Sequence, residues 1–499
     1  MAGSEADEHH ETASGSPEPE TSGPATPAPA PRRRTGIWAG LLALTVSVAV
    51  VLGVALHDPL LTSAGLREPT PLPPAASTLF PEPSTPAPTA GASTLPQPGA
   101  ASAASPLVPA RLATQINAVE KKFGGTSAAM VVDTATGKVL FQNNQSARLV
   151  PASNMKTLTV LGALSAMSPT TRFATTVTSP SPGRIVLKGG GDPYLRTVAD
   201  PSHPGTATLA QLAESTAEAL RQQGRTSVTL GVDQSLFTGP DWAPTWPAGY
   251  VDQVTRISAL MTDGGRTLDK SGKPTTAPRT QTPAVHAGQA FAAQLKARGI
   301  TVTGAPTPAK ATGAQLARVQ SAPLEQLARW AMVASDNTAT EMILRQLGLA
   351  RQQPGSFAGG LGALRAELTA LKVWRPGAVL HDGSGLSRQT MITPEMLAAA
   401  WRTIATTPAL RELLTATPVA GVSGTLRDRF LVEEAAGGRG RVHAKTGTLS
   451  EISSLSGWTT TESGQSVIIV LMVNQSKNDW WARVWIDSVA SVISKCGCR

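Results

Sequence analysis

Ser153-Asn154-Met155-Lys156 is the only stretch of this 499-residue chain in which a serine is followed three residues later by a lysine. Residues three apart on an α-helix lie on the same face. If a helix begins near Ser153, the amine of Lys156 lies beside the hydroxyl of Ser153, and the nucleophile then has its own general base. Apolar residues continue at helical spacing from Leu158 to Met167. The pattern therefore predicts a reactive serine in the first turn of a buried helix.

Two more short motifs follow in a particular order. Ser335-Asp336-Asn337 lies inside a helical pattern from Ala322 to Leu347, and Lys445-Thr446-Gly447 lies in a predicted strand at residues 441–449. The Lys-Thr-Gly sequence occurs once. A second Ser-x-Asn, Ser476-Lys477-Asn478, comes after it and is interpreted as a loop or capping element. The ordered triple is stronger evidence of a catalytic site than any single member.

The order of these motifs resembles that of the penicillin-interacting serine enzymes, which comprise D-Ala-D-Ala peptidases and serine β-lactamases. The long interval between the first two motifs, the turn Gly189–Pro193, the loop Asp382–Ser387 and the run Ser423–Arg427 are similar to those of the S13 family of D-alanyl-D-alanine carboxypeptidases and endopeptidases. The resemblance covers about residues 110–495. It implies an α/β sandwich of the DD-peptidase and serine β-lactamase type.

The resemblance also implies a role for the residues of the first two motifs. Ser153 is the nucleophile and Lys156 is its base, while Ser335 relays a proton to the leaving amine and Asn337 holds the substrate amide and Lys156. A free lysine has a pKa of about 10.4, so Lys156 has to lose about 3 units to act as a base near neutral pH. Burial and the positive charge of Lys445 are expected to lower it.

The third motif and the glycine-rich loop are implied to bind the substrate. Lys445 and the hydroxyls of Thr446 and Thr448 hold the terminal carboxylate of the peptide, and Gly447 completes the motif. The backbone N–H groups of the nucleophile and of Thr448 form the oxyanion hole. Leu386 resembles a family position that lines the pocket for the substrate's side chain.

Domain boundaries follow from shifts in pattern. Helical patterns dominate residues 110–174 and 281–499, which are assigned to the catalytic domain. Short strand-like runs with Gly/Pro-rich turns fill residues 175–280, with one helical stretch at 209–222. This segment is predicted to be an inserted, mostly-β domain between the first and second motifs.

The first 109 residues differ from the rest of the chain. Residues 1–34 are rich in Pro, Ser, Thr and Glu and are predicted to be a disordered cytoplasmic tail. Residues 35–57 include an uncharged apolar stretch that spans roughly 30 Å as a helix, preceded by Arg32-Arg33-Arg34, and predict a single membrane anchor with the catalytic domain outside the cytoplasm. A cleaved signal peptide with secretion is the alternative. Residues 58–109 form a Pro/Ala/Ser/Thr-rich linker.

Composition limits the partners and cofactors. The net charge is +9, but no block of Lys and Arg is interleaved with aromatic residues, so nucleic acid is not a predicted partner. The only two cysteines, Cys496 and Cys498, are too few for a zinc site and no histidine cluster accompanies them. We therefore predict neither a metal nor a cofactor.

These expectations converge on a membrane-anchored serine D-Ala-D-Ala carboxypeptidase that forms an acyl-enzyme on Ser153. Its predicted partners are peptidoglycan stem peptides, with β-lactams as covalent inhibitors of the same serine. A peptidoglycan DD-endopeptidase, a β-lactamase and a non-catalytic β-lactam or wall-binding receptor remain as alternatives. A class A β-lactamase has these motifs closer together and needs an acidic residue that activates water, which the sequence does not identify.

Overall fold

Residues 106–269, 275 and 277–498 are described by the structure, which is a computed structural model. The predicted cytoplasmic tail, the predicted anchor at 35–57 and almost all of the predicted linker lie outside these residues. Within the described part of the chain, no helix combines the length and the apolar character that crossing a bilayer requires.

Five antiparallel strands form the first sheet, in the order β2-β1-β11-β10-β9. The chain enters it through a hairpin near the start of the fold and completes it near the end, as the apolar runs predicted. The strands are β1 (Thr126–Asp133), β2 (Val139–Asn143), β9 (Val442–Leu449), β10 (Ile452–Thr460) and β11 (Ser466–Asn474).

Helices cover both faces of this sheet because its central strand is apolar on both sides. In β11, Ile468, Val470 and Met472 join one core, whereas the alternate residues Ile469 and Leu471 join a second core on the opposite face. Helices α1 (Pro109–Asn117) and α10 (Asp479–Ser494) pack on the second core. The predicted α/β sandwich is thereby confirmed.

The first core is larger and holds most of the remaining helices. They pack around α2 (Met155–Ala166), the helix that begins within the Ser-x-x-Lys motif. The surrounding helices are α5 (Leu324–Ala334), α6 (Asn337–Ala350), α7 (Phe357–Ala370), α8 (Pro394–Thr406) and α9 (Glu412–Thr415).

The prediction of one continuous helix at 322–347 is wrong in one respect, because two helices separated by the Ser-x-Asn motif occupy this stretch. Ser335 has φ of 56°, in the left-handed region, and ends α5. Asp336 then caps α6, since its carboxylate accepts a hydrogen bond from the N–H of Ala339 at 2.9 Å. A helical apolar period continues across such a break, so periodicity alone did not reveal it.

A second, mixed sheet lies between the first and second motifs, in the order β6-β5-β4-β3-β8, with β7 paired to β5. Helices α3 (Leu209–Gln222) and α4 (Pro283–Lys296) share its core. Its strands are β3 (Ala174–Ser181), β4 (Arg184–Lys188), β5 (Ser227–Asp233), β6 (Thr301–Val302), β7 (Thr307–Pro308) and β8 (Ala314–Gln320).

This second sheet extends past residue 280, where the sequence indicated the end of the insertion. Helix α4 and strands β6 to β8, which we had assigned to the catalytic domain, belong to the second layer, so the layer is α/β rather than mostly β. The physical reason is that an amphipathic pattern shows that a helix has a buried face, but not which sheet that face covers.

Candidate active site

Ser153, the predicted nucleophile, lies on a short turn that is hydrogen-bonded to side chains of β10. Ser153 is the centre of a 3-10 turn, Ala152–Asn154, that continues into α2. Ala152 has φ of 48°, a strained value for a residue with a Cβ. In the side chain of Asn154, Nδ2 donates to Ser454 Oγ at 2.8 Å and Oδ1 accepts from Ser456 Oγ. These buried bonds fix the turn to the sheet.

Two glycines let other chain segments approach this turn. A Cβ on Gly447 of β9 would lie 2.3 Å from Ser454 Oγ and 2.5 Å from the carbonyl oxygen of Pro151. Gly385 has φ of +80°, and a Cβ there would lie 1.9 Å from the carbonyl oxygen of Ala152. The third motif and the glycine-rich loop therefore both contact the nucleophile turn through backbone.

We expect Gly447→Ala to lower the free energy of unfolding by about 1–3 kcal/mol, because the added methyl group overpacks a rigid contact. A displaced turn should also slow acylation by roughly 10²-fold. Thermal unfolding and the rate of labelling by a fluorescent penicillin measure the two effects. Gly362→Ala is the matched control, since a Cβ there meets nothing within 4 Å. Equal effects of the two substitutions would contradict the proposed contact.

Lys156 is fully buried and its amine contacts three acceptors. Nζ lies 2.9 Å from Ser153 Oγ, 2.6 Å from Asn337 Oδ1 and 2.7 Å from the carbonyl oxygen of Ser384. The last two oxygens can only accept hydrogen bonds, so a neutral amine must donate its two hydrogens to them. Its lone pair then faces the Ser153 hydroxyl, as a general base requires.

Burial lowers the pKa of Lys156 to about 8, and the carboxylates of Glu341, Asp382 and Asp336 oppose part of that change. The expected effect of burial on this pKa is therefore confirmed, whereas the expected effect of Lys445 is not among its causes. Burial, together with the charge of Lys156, lowers the pKa of Lys445 well below its usual value. A substantial fraction of Lys156 is therefore neutral near neutral pH.

Acylation should accordingly rise with pH as Lys156 loses its proton. Well below the pKa of about 8, the neutral fraction and hence the rate should increase about tenfold per pH unit, with a plateau above it. The second-order rate constant for labelling by a fluorescent penicillin between pH 5.5 and 9.5 tests this profile. A rate independent of pH across that range would exclude Lys156 as the base.

The second and third motifs meet through Ser335 and Lys445. Lys445 Nζ donates to Ser335 Oγ at 2.9 Å and to the carbonyl oxygen of Thr446 at 2.7 Å. Thr446 Oγ1 lies 2.7 Å from Thr425 Oγ1. Because the Lys445 amine is the donor in this contact, the hydroxyl hydrogen of Ser335 remains available to a group in the cleft.

These motifs border an open cleft of about 820 Å³. Lys156, Lys445 and Gly447 are buried and do not line it. Asn337 lines the cleft, and its Nδ2 donates to the carbonyl oxygen of Gln253, another lining residue, at 3.0 Å. Six of the residues predicted from the sequence line it: Ser153, Ser335, Asn337, Leu386, Thr446 and Thr448.

Strand β9 presents its outer edge to the cleft. Its neighbour β10 pairs with one side, and on the other side the N–H of Ala444 donates to the carbonyl oxygen of Pro418 at 3.0 Å. Backbone groups of alternate strand residues point the same way, so the N–H of Thr448 points to this outer edge as well. The backbone nitrogen of Ser153 lies close to the same strand, 3.1 Å from where a Cβ on Gly447 would be. Both predicted oxyanion donors are therefore near one another.

Several contacts of the site were not predicted from the sequence. They are the Ser384 carbonyl oxygen, the buried carboxylates of Glu341 and Asp382, and the Gln253 carbonyl oxygen. One signal was present, because Glu341 follows Asn337 by one helical turn and is a charged residue within an apolar stretch of α6. In the described ranges, no group of three or more His, Cys, Asp and Glu side chains is arranged to hold a metal ion.

Comparisons with known proteins identify the family of this chain. The model of the D-Ala-D-Ala carboxypeptidase 3 (S13) family matches residues 110–274 and 267–489. Carboxypeptidase DacB of Mycolicibacterium smegmatis is 33% identical over 94% of this chain and 98% of its own length. A D-alanyl-D-alanine carboxypeptidase of an Actinomadura species is 30% identical over 67% of this chain and 75% of its own length.

Among solved structures, penicillin binding protein 4 (dacB) of Haemophilus influenzae matches with a TM-score of 0.62 and 20% identity, over 76% of this chain and 97% of that protein. The same protein has also been solved in complex with a β-lactam. At this identity the structural match establishes the fold. Together with the family model and the relatives, it shows that this chain belongs to the D-Ala-D-Ala carboxypeptidase 3 (S13) family.

Proposed function

We propose that this protein is a serine-type D-Ala-D-Ala carboxypeptidase that acts on peptidoglycan stem peptides through an acyl-enzyme on Ser153. The observation that carries the proposal is the Lys156 amine, which lies 2.9 Å from Ser153 Oγ while two fixed acceptors orient it. Membership of the S13 family supplies the substrate class.

Acylation begins when the neutral amine of Lys156 takes the hydroxyl proton of Ser153. Oγ forms a bond to the carbonyl carbon of the D-Ala-D-Ala amide, and the carbonyl oxygen gains negative charge. The N–H groups of Ser153 and Thr448 stabilise that charge, a type of contact that is worth about 3–4 kcal/mol for each donor.

The tetrahedral intermediate then loses D-Ala as the C–N bond breaks. Ser335 donates a proton to the leaving nitrogen and recovers one from Lys156, which becomes neutral again. Lys445 holds Ser335 in place and adds positive charge beneath the cleft. In the second half-reaction, water takes the place of the Ser153 hydroxyl and gives a proton to Lys156 as its oxygen forms a bond to the acyl carbon. The ester bond to Ser153 Oγ then breaks, and Lys156 returns the proton to that oxygen.

The terminal carboxylate of the peptide lies at the β9 end of the cleft in this proposal. The hydroxyls of Thr446 and Thr448 line the cleft, and the buried ammonium of Lys445 lies directly behind them. An anion at this position is stabilised at short range by donors and at longer range by a desolvated charge. A peptide without a free carboxyl terminus lacks this interaction.

Mass spectrometry of the wild-type protein tests the proposal and separates its alternatives. We expect release of D-Ala from an uncross-linked stem peptide and a lasting penicilloyl adduct on Ser153. Rapid release of hydrolysed penicillin would indicate a β-lactamase. An adduct without any D-Ala release would indicate a receptor, and preferential cleavage of cross-linked peptides would indicate an endopeptidase.

We also propose that residues 35–57 anchor the protein in the cell membrane, with the catalytic domain outside the cytoplasm. An uncharged apolar stretch preceded by three arginines supports this proposal. Deletion of residues 1–57 should move the protein from the membrane fraction to the soluble fraction. An intact N-terminus on the mature full-length protein is expected, whereas cleavage after the apolar stretch would indicate a signal peptide.

A further inference from the structure

The carbonyl oxygen of Ser384 is the contact of Lys156 that the three motifs do not explain. It belongs to the loop Asp382–Ser387, which has no strand partner and is buried at Asp382, Ser384 and Ser387. This carbonyl and the side chain of Asn337 are the two fixed acceptors that leave the Lys156 lone pair facing Ser153. Whatever holds the loop in place therefore also orients the base.

Glu341 holds the first half of this loop. Its carboxylate is fully buried and accepts hydrogen bonds from the N–H of Gly383 at 3.0 Å and from the N–H of Ser384 at 2.7 Å. Helix α6 also carries Asn337, one turn earlier. One rigid helix thus positions both fixed acceptors of Lys156, one directly and one through the loop.

Asp382 holds the second half. Its carboxylate accepts from the N–H of Gly385 at 3.0 Å, from the N–H of Ser387 at 2.6 Å and from the indole of Trp246 at 2.7 Å. Buried backbone donors need partners, and a loop without a neighbouring strand cannot obtain them from a sheet. Two buried carboxylates supply them here, although burying charge is costly.

We propose that Glu341 and Asp382 are positioning residues that orient the Lys156 lone pair toward Ser153 by holding the Ser384 carbonyl oxygen. The charge of Glu341, like those of Asp382 and Asp336, also raises the pH at which Lys156 becomes a base, against the larger effect of burial. Neither carboxylate lines the cleft, so they act through Lys156 rather than on substrate. The expected effect on D-Ala release rests on the function proposed above, whereas the expected effect on acylation by penicillin does not.

The electrostatic surroundings agree with this role. Burial and the charge of Asp382 raise the pKa of Glu341 to about 7, and burial raises that of Asp382. Above pH 7, ionised Glu341 favours the protonated form of Lys156. The charged groups around these residues are Asp336, Asp382, Arg345, Lys156 and Lys445.

The test is the pH profile of acylation by a fluorescent penicillin, measured per active site on the full chain. Glu341→Gln removes the negative charge that Glu341 carries above about pH 7, so the part of the acid limb between pH 7 and the plateau should move to lower pH. The plateau should fall by roughly 10²-fold, because the loop loses an acceptor and the amine is less well oriented. Glu341→Asp keeps the charge but shortens the side chain, so its limb should stay near that of the wild type while its plateau falls.

Asp233→Asn is the matched control. Asp233 is a buried carboxylate of the second sheet that accepts from the N–H groups of Ser235 and Ala311, and its contacts do not include the loop. The acid limb of acylation by Asp233→Asn should coincide with that of the wild type. An acid limb of Glu341→Gln that coincides with the wild type would overturn the proposal, whatever happens to the plateau.

If Glu341→Gln does not fold, Glu341→Asp and Asp382→Asn test the positioning role through the plateau rather than through the limb. A lower plateau with an unchanged melting temperature in either variant supports that role, and a wild-type plateau in both overturns it. D-Ala release by the wild type is measured alongside. Its failure would remove the proposed carboxypeptidase activity, but the limb comparison would still decide the role of Glu341.

Discussion

Ser153→Ala should abolish both covalent labelling by a fluorescent penicillin and release of D-Ala from a stem peptide. The Ser153 hydroxyl is the predicted site of acylation, because the Lys156 amine lies 2.9 Å from it while two fixed acceptors orient that amine. Removing a catalytic nucleophile costs on the order of 10⁶-fold in kcat in serine hydrolases. Mass spectrometry of the intact protein after incubation with penicillin measures the adduct directly.

Ser476→Ala is the matched control for this prediction. Ser476 begins the second Ser-x-Asn of the chain, and its Oγ accepts from the N–H of Asn478 in the loop before α10. It has no place in the site, so labelling should persist at the wild-type rate. An adduct that survives Ser153→Ala, or one that is lost in Ser476→Ala, would exclude the assignment of the nucleophile.

Lys156→Gln and Lys156→Arg should both reduce acylation by roughly 10³–10⁴-fold, at the upper end of what general base catalysis contributes. The arginine variant is the informative one. A guanidinium keeps the positive charge but has a pKa above about 12, so it cannot accept the serine proton. If Lys156 acted only through its charge, arginine would retain much of the rate.

Folding must be separated from chemistry in both variants, because position 156 is fully buried. Thermal unfolding and circular dichroism should show a folded protein with reduced stability. The pH profile gives a second check, since the residual rate of the glutamine variant should lose the acid limb near pH 8. An arginine variant that acylates within about tenfold of wild type would contradict the base assignment.

Local patterns accounted for much of the fold. The helix after Ser153, the β1–β2 hairpin, the strands β9 to β11 and the C-terminal helix all follow from apolar spacing and turn residues in the printed sequence. These features depend on neighbours a few positions apart. Apolar period and turn chemistry therefore predict them without knowledge of the rest of the chain.

The errors came from interactions between distant segments. Helix α4 has a buried face that its sequence shows, but only the tertiary structure shows that this face covers the second sheet. The break at Ser335 is hidden in a continuous apolar period. Burial was expected to lower the pKa of Lys156 and does so, whereas the expected contribution of Lys445 is not among the causes.

From the sequence alone came the three motifs, their order, the family they resemble and the chemistry of a serine beside a lysine, because spacing on a helix already brings those two side chains together. The tertiary structure decided which oxygens orient that lysine. The family resemblance already implied that Asn337 holds Lys156, but the Ser384 carbonyl oxygen and the Glu341 carboxylate that holds its loop were not predicted, because packing rather than spacing brings them to the buried amine.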